Sequence, residues 1–326
     1  MIAAAMSVLQ PIFPVLAHNY GSKLVPHACI YELTPPEVFS RPSRQSAKLS
    51  NALVFIGGLG DGPHTVPAIR AVAQRLAEEL EDWSVFEIRL NSSFGQWGFS
   101  SLKEDVREIG EIVSYLKEKL AKVRVVLMGH STGCQDCMEY VVKSKNELPH
   151  VDGIILQGPV SDREGLKPLM EKDGRNFQES LTYATRLVEE GNGGDYMPKS
   201  QLPLGYDNPI TAYRWHSLIS VGGDDDYFSS DLPDDKVAEI WKEIGSKILI
   251  VPSGKDEHVP DHIDVAGLVR KWISACRPGI ASELSGLIPG ANHRVEQAGA
   301  QQWLAERVVG FLKEVVAKEG KHDRFD

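Results

Sequence analysis

The stretch VRVVLMGHSTGCQD, residues 123–136, decides the fold. An apolar run of the kind buried in a parallel strand leads directly into Gly129-His130-Ser131-Thr132-Gly133, and helix-forming residues follow at once. A serine at the apex of so sharp a strand-to-helix turn is held in a strained conformation. The residues two before and two after it must be nearly free of side chain, and Gly129 and Gly133 meet that demand. The turn also sets Ser131 at a helix N-terminus, where free N–H groups and the helix dipole favour developing negative charge. Ser131 is therefore the expected nucleophile and the N–H of Thr132 one expected oxyanion donor. A chance Gly-x-Ser-x-Gly in a loop is the competing reading, and it lacks the strand before and the helix after.

Outward from this elbow, short apolar runs alternate with longer amphipathic ones. Strands are expected at His27–Leu33, Ala52–Ile56, Ser84–Leu90, Val123–Met128, Val151–Gln157, Lys247–Val251 and Glu283–Ile288. Helices are expected at Val66–Leu80, Leu102–Leu120, Thr132–Lys143, His262–Ala275 and Gln297–Ala317, where apolar positions recur every three or four residues. Strand-helix alternation of this kind implies the α/β class: an α/β-hydrolase fold with a mostly parallel central sheet flanked by helices. The rhythm breaks over residues 160–245, in stretches such as GNGGDYMPKSQLPLG (191–205) and GGDDDYFSSDLP (222–233). With no second core evident there, this segment reads as a lid inserted into a hydrolase domain of residues 27–326. Residues 1–26 read as an N-terminal extension, and the polar tail KEGKHDRFD (318–326) as frayed.

A serine is a weak nucleophile unless a base takes its proton and a carboxylate orients that base. Both follow in the chain order Ser, Asp, His. After KILIV (247–251), the turn PSGKDEHVP (252–260) puts acids at the C-terminal end of a strand, where sites assemble in such sheets. Asp256 is the expected acid, with Glu257 in reserve. His293, in the loop after Ile288, is the expected base, and His258, His130 and His216 are its competitors. The second oxyanion donor is expected from the glycine-rich loop Gly57–Gly62, with the N–H of Leu59 the choice. Such a loop also suits a phosphate, but no Gly-Lys-Ser/Thr follows and no clean G-x-G-x-x-G is present.

The chain has 326 residues, 25% of them charged and 42% hydrophobic, an ordinary globular composition. Its formal net charge of −10 argues against a general nucleic-acid binder, which needs a basic stripe. No apolar run approaches the ~20 residues of a membrane span. The apolar stretch Met1–Ala17 carries no Lys or Arg and is interrupted by Gln10, Pro11 and Pro14, a poor signal peptide. Cys29, Cys134, Cys137 and Cys276 are too few and too irregular for a disulfide framework, so a reducing, cytoplasmic setting is expected.

Other signals read more blandly. Cys134 and Cys137 have redox spacing but follow the elbow directly, where small helix residues pack on a sheet. His258 and His262 are four apart, but Pro260 intervenes and no third metal ligand is obvious. Asp224, Asp225 and Asp226 lack the glutamate-terminated spacing of a calcium loop. Trp97, Phe99, Tyr213, Trp215 and Phe228 could line a substrate pocket or fill a core, with Trp97 and Trp215 the substrate-binding candidates.

Three segments, SSFGQWGFSSLKEDVREI (92–109), GHSTGCQDCMEYV (129–141) and DDDYFSSDL (224–232), together resemble a fungal and eukaryotic α/β-hydrolase family. That family, long of unknown function, includes intracellular siderophore ester hydrolases, and the resemblance runs from about Leu49 onward. It implies cleavage of ester bonds in fusarinine-type hydroxamate siderophores, releasing iron. Ser131 would attack the carbonyl, His293 would move the proton, and no cofactor would be needed. The implied partner is a small-molecule ester, a ferric hydroxamate siderophore, with neither nucleic acid nor membrane.

Overall fold

The computed structural model describes residues 14–25, 28–33, 50–144 and 146–317. His27 and the tail 318–326 lie outside the described residues. Seven strands form one sheet: β1 (Val15–Asn19), β2 (Cys29–Leu33), β3 (Asn51–Ile56), β4 (Trp83–Ile88), β5 (Arg124–His130), β6 (Gly153–Gln157) and β7 (Lys247–Val251). The order across the sheet is β1-β2-β4-β3-β5-β6-β7. Strands β4, β3, β5, β6 and β7 run parallel, while β1 and β2 close one edge antiparallel. Strand β1, in the stretch set apart as an extension, pairs Val15 with Leu33 through to Asn19 with Cys29.

The central strands are apolar almost throughout because both faces are covered. Their period of two divides one run between two cores. Ala52, Val54 and Ile56 of β3, with Val125 and Leu127 of β5, pack against helices α2 (Leu102–Glu118) and α3 (Gly133–Val142). Leu53, Phe55, Val126 and Met128 face the other side, against α1 (Ala68–Glu79) and α9 (Ala298–Ala317). Helix α8 (Val265–Ala275) adds Val269 and Trp272 to the first core. Ser101 caps α2 by accepting from the N–H of Glu104, which begins that helix where its amphipathic pattern starts.

Between β6 and β7 the chain folds into α4 (Asp162–Lys172), α5 (Phe177–Glu189), α6 (Ala212–Ile219) and α7 (Asp234–Trp241). Contrary to the sequence reading, this segment does carry a hydrophobic cluster of its own. Met170, Phe177, Ala184, Met197, Ile210 and Trp215 close on one another, with Trp97 contributed from the hydrolase body. The glycines and prolines between the short helices hid that periodicity.

The strand expected at Glu283–Ile288 does not form. Single bridges at Ala281 and Ile288 touch β7 and the turn after it. Between them the backbone still reaches β7 and the turn after it, Gly286 N–H to Ile250 O and Ile288 N–H to Pro252 O at 2.9 Å each, but the Ile250 N–H goes to Ser285 Oγ at 3.1 Å, so no continuous ladder closes.

Candidate functional site

Strand β5 delivers Ser131 at the carboxyl edge of the sheet, and its φ of +55° is a left-handed conformation costly to a non-glycine residue. A Cβ on Gly129 would stand 2.1 Å from the carbonyl oxygen of Gly133. One on Gly133 would stand 2.4 Å from that of Ile56. The elbow thus closes only with glycine at both positions. The Ser131 N–H donates to Gln157 O at 3.1 Å, tying the turn to the end of β6.

The expected acid and base meet. His293 Nδ1 and Asp256 Oδ2 are 2.7 Å apart, with side chains 6% and 2% exposed. The other Asp256 oxygen accepts from the N–H of His258 at 3.0 Å. Glu257, the reserve acid, does a different job: Oε2 accepts the backbone N–H of His293 at 2.8 Å. The two loops are stitched by Lys255 N–H to Ala291 O and Gly254 N–H to Ile288 O, at 2.8 and 2.9 Å. His293 Nε2 makes no hydrogen bond among the described residues and is left available.

The competing histidines pack around this one. The His258 ring stands edge-on to that of His293 at 4.5 Å between centroids, and the His130 ring lies 4.8 Å away on another side. His130 is fully buried, and its Nδ1 lies 2.6 Å from Gln157 Oε1. Burial first, and then the neighbouring His293, lower its pKa to about 4. It is therefore neutral near pH 7. His216 lies on α6 instead, beside Ser220.

The glycine-rich loop lies against the elbow: a Cβ on Gly58 would come within 2.6 Å of Ser131 Cβ. The Gly58 N–H is itself committed to Asp61 Oδ2 at 3.1 Å, so Leu59 carries the next N–H along the loop. Asp61 also accepts from Arg294, 3.1 Å from Nη2 to Oδ1, and from the Thr65 hydroxyl at 2.8 Å. This ties the Gly57–Gly62 loop to the residue beside His293. Sequence reasoning missed the pair. Its only signal was position, one residue inside the glycine-rich loop and the other adjacent to the expected base.

A buried charged network beside the elbow was missed as well. Asp105 of α2, Asp162 of α4 and Asp225 act on the Arg214 guanidinium of α6, and Asp136 of α3 feels both Asp105 and Arg214. Asp225 Oδ2 takes hydrogen bonds from Arg214 Nη1 at 2.6 Å and Ser217 Oγ at 2.5 Å. Trp97 lines a small cavity there. Trp215 is wholly buried in the inserted helices and donates from Nε1 to Ser180 Oγ at 2.7 Å, a packing position. Cys134 and Cys137 are free, buried thiols whose pKa values burial pushes up, the opposite of what a reactive thiolate needs.

Five parallel strands with their loops gathered at the carboxyl edge around a serine elbow make this an α/β-hydrolase. Siderophore hydrolase EstB from Aspergillus fumigatus is a solved structure similar to it, with a TM-score of 0.75 at 28% identity. The match covers 94% of this chain and 99% of that one. The chain belongs to the family described as protein of unknown function DUF1749, whose profile matches residues 9–313. Within the curated proteins it is 31% identical to the fusarinine C esterase sidJ of Aspergillus fumigatus, over 93% of this chain and 96% of that protein. It is 32% identical to a UPF0613 protein of Schizosaccharomyces pombe, over 93% of this chain and 98% of that protein. Among the described residues, no helix is long and apolar enough to cross a membrane.

Proposed function

We propose that the chain is a serine ester hydrolase that cleaves ester bonds of hydroxamate siderophores inside the cell. The observation that carries the hydrolytic reading is the 2.7 Å contact of His293 Nδ1 with Asp256, beside a serine held at φ +55°. Asp256 fixes the imidazole with its proton on Nδ1, which leaves Nε2 to accept the Ser131 hydroxyl proton. Ser131 Oγ attacks the ester carbonyl, and the N–H groups of Leu59 and Thr132 receive the oxyanion. The alcohol leaves with the proton returned by His293. Water, deprotonated by the same nitrogen, then releases the acid and restores the serine.

The siderophore as substrate is supported by the names of two similar proteins, fusarinine C esterase and siderophore hydrolase. The iron would be cargo of the substrate, and the chemistry described needs no cofactor. The intracellular setting is supported by four cysteines that are all free thiols.

The test is hydrolysis of a fusarinine-type siderophore by the native protein and by Ser131→Ala, followed by mass spectrometry, with a short acyl ester in parallel. Serine-dependent cleavage of the siderophore is expected. Cleavage of the simple ester alone would retain the hydrolase and sink the siderophore reading, leaving a general carboxylesterase or thioesterase. Cleavage of neither would leave a binding protein on a hydrolase fold.

A further inference from the structure

Leu59, the expected second oxyanion donor, lies in a turn that Asp61 holds from several sides. The turn is residues 58–61, closed by the Asp61 N–H donating to Gly58 O at 3.0 Å, and Gly60 at φ +76° supplies the positive φ its third position demands. Gly58 O and the Leu59 N–H belong to one planar peptide and point opposite ways, so gripping the first aims the second. The Leu59 N–H itself makes no hydrogen bond among the described residues.

Asp61 is buried and every polar atom of it is engaged. Its Oδ2 accepts the Gly58 N–H at 3.1 Å, and its carbonyl accepts the Phe94 N–H at 2.9 Å. Its Oδ1 faces two donors, the Thr65 hydroxyl at 2.8 Å and Arg294 Nη2 at 3.1 Å, and the same Arg294 nitrogen reaches Thr65 O. A Cβ on Gly57 would stand 2.7 Å from Asp61 Cβ, and one on Gly58 2.6 Å from Ser131 Cβ, so the turn touches both its clamp and the nucleophile through bare backbone. Arg294 follows His293 directly in the chain. One carboxylate therefore holds the oxyanion loop against the loop that carries the base.

Backbone strain gathers on this unit. Among the described residues five non-glycine positions have a positive φ, and four of them belong to the unit or adjoin it. They are Ser131 itself, Phe94, which bonds Asp61 O, His64, next to Thr65, and Val295, next to Arg294. The β-branched Val295 at φ +52° is in a costly conformation that persists only where its surroundings over-determine it. Strain concentrated in this way points to a geometry kept for function.

We propose that Asp61 is a positioning residue for the hydrolytic reaction: its carboxylate, oriented by Arg294, aims the Leu59 N–H at the oxyanion. The proposal rests on the reading of Ser131 as nucleophile and Leu59 as donor. Both carboxylate oxygens must accept, because donors face each of them. An asparagine of the same shape offers one oxygen and one NH2 group. Its oxygen goes to the charged Arg294 and the Thr65 hydroxyl, and its NH2 is left against the Gly58 N–H, donor against donor. The turn then shifts and the Leu59 N–H loses its aim.

The experiment follows turnover of 4-nitrophenyl butanoate, and inhibition by 1,1,1-trifluoropentan-2-one, whose adduct with the serine carries an oxyanion, in Asp61→Asn, Arg294→Met and the double variant. Asp61→Asn lowers kcat by about 100-fold, the loss of one oxyanion donor, with KM within about threefold of native. Affinity for the ketone falls in step with kcat/KM. In the double variant no cation claims the amide oxygen, which turns to the Gly58 N–H while the NH2 donates to Thr65 Oγ. Activity there recovers by about tenfold over Asp61→Asn, a rescue that an ion pair serving only the fold would not give. Should Asp61→Asn fail to fold, Arg294→Met carries the test, with kcat and ketone affinity falling together by about tenfold. A kcat for Asp61→Asn within about threefold of native, a loss confined to KM, or a double variant no faster than the single one overturns the proposal. So does unchanged ketone affinity in Arg294→Met. Any of these results beside an active native protein removes this inference alone, whereas native protein that neither hydrolyses the ester nor binds the ketone sinks the hydrolase reading with it.

Discussion

Replacing Gly133 by alanine tests the elbow most directly. The added Cβ would meet Ile56 O at 2.4 Å, Gly57 O at 2.9 Å and Ile56 C at 3.0 Å, all of them backbone atoms that no rotamer change can move away. Restoring ordinary contact requires helix α3 to retreat from β3 and the oxyanion loop by roughly 1 Å. Overpacking of this kind costs about 1–3 kcal/mol, or roughly 1.5–4.5 °C in Tm for a chain of this size. A displacement near 1 Å of the nucleophile against its oxyanion donors should lower kcat by about 100-fold, with little change in KM. The assay is hydrolysis of a short acyl ester beside a thermal melt. Gly299→Ala serves as control, because a Cβ there meets nothing within 4 Å and lies in helix α9. It should leave activity unaltered and raise stability by up to about 1 kcal/mol. If Gly133→Ala kept kcat within about threefold of native and Tm within about 1 °C, the steric account of the elbow would be wrong.

Asp256→Asn should lower kcat by about 10⁴-fold through the wrong histidine tautomer, whereas Glu257→Gln keeps an acceptor for the His293 N–H and should cost about tenfold or less. Equal losses in steady-state assays would show the acid to be misassigned. Burial raises the pKa of Glu87 to about 7, and His64, 2.8 Å from it, has its own pKa lowered by burial. The folded chain therefore holds the Glu87 proton that the unfolded chain releases near the ordinary value, and stability is lost as pH rises from about 4.5 to 7. Glu87→Gln should accordingly raise Tm more at pH 8 than at pH 4; melting curves with an equal or opposite difference would count against it. Finally, in the folded protein a thiol reagent should modify Cys29 and Cys276 well before Cys134 and Cys137, which are fully buried. Rapid loss of all four thiols would contradict that burial.

Much of the architecture was legible because it rests on local patterning. Apolar runs such as ALVFI and KILIV are strands wherever both faces are covered, and the elbow announces itself by the glycines that its turn sterically requires. The helical insertion was harder to read, since its short helices are interrupted by glycine and proline and its core is assembled from residues far apart in sequence. The segment at Glu283–Ile288 had the composition of a strand, but Ser285 Oγ takes the Ile250 N–H that a continuous ladder would pair, and only single bridges to β7 and the turn after it remain.

The sequence by itself determined the order Ser131, Asp256, His293 and the turn that exposes the serine, because those depend on residue type and spacing. Only tertiary structure decided that Asp256 rather than Glu257 reaches the His293 ring, since adjacent residues on one turn point their carboxylates differently. Only tertiary structure brought Arg294 to Asp61, 233 residues away, and gathered Asp105, Asp136, Asp225 and Arg214 into one buried network. Each of those residues reads as an ordinary surface charge in its own segment. Their meaning comes from the low dielectric and the neighbours that packing supplies.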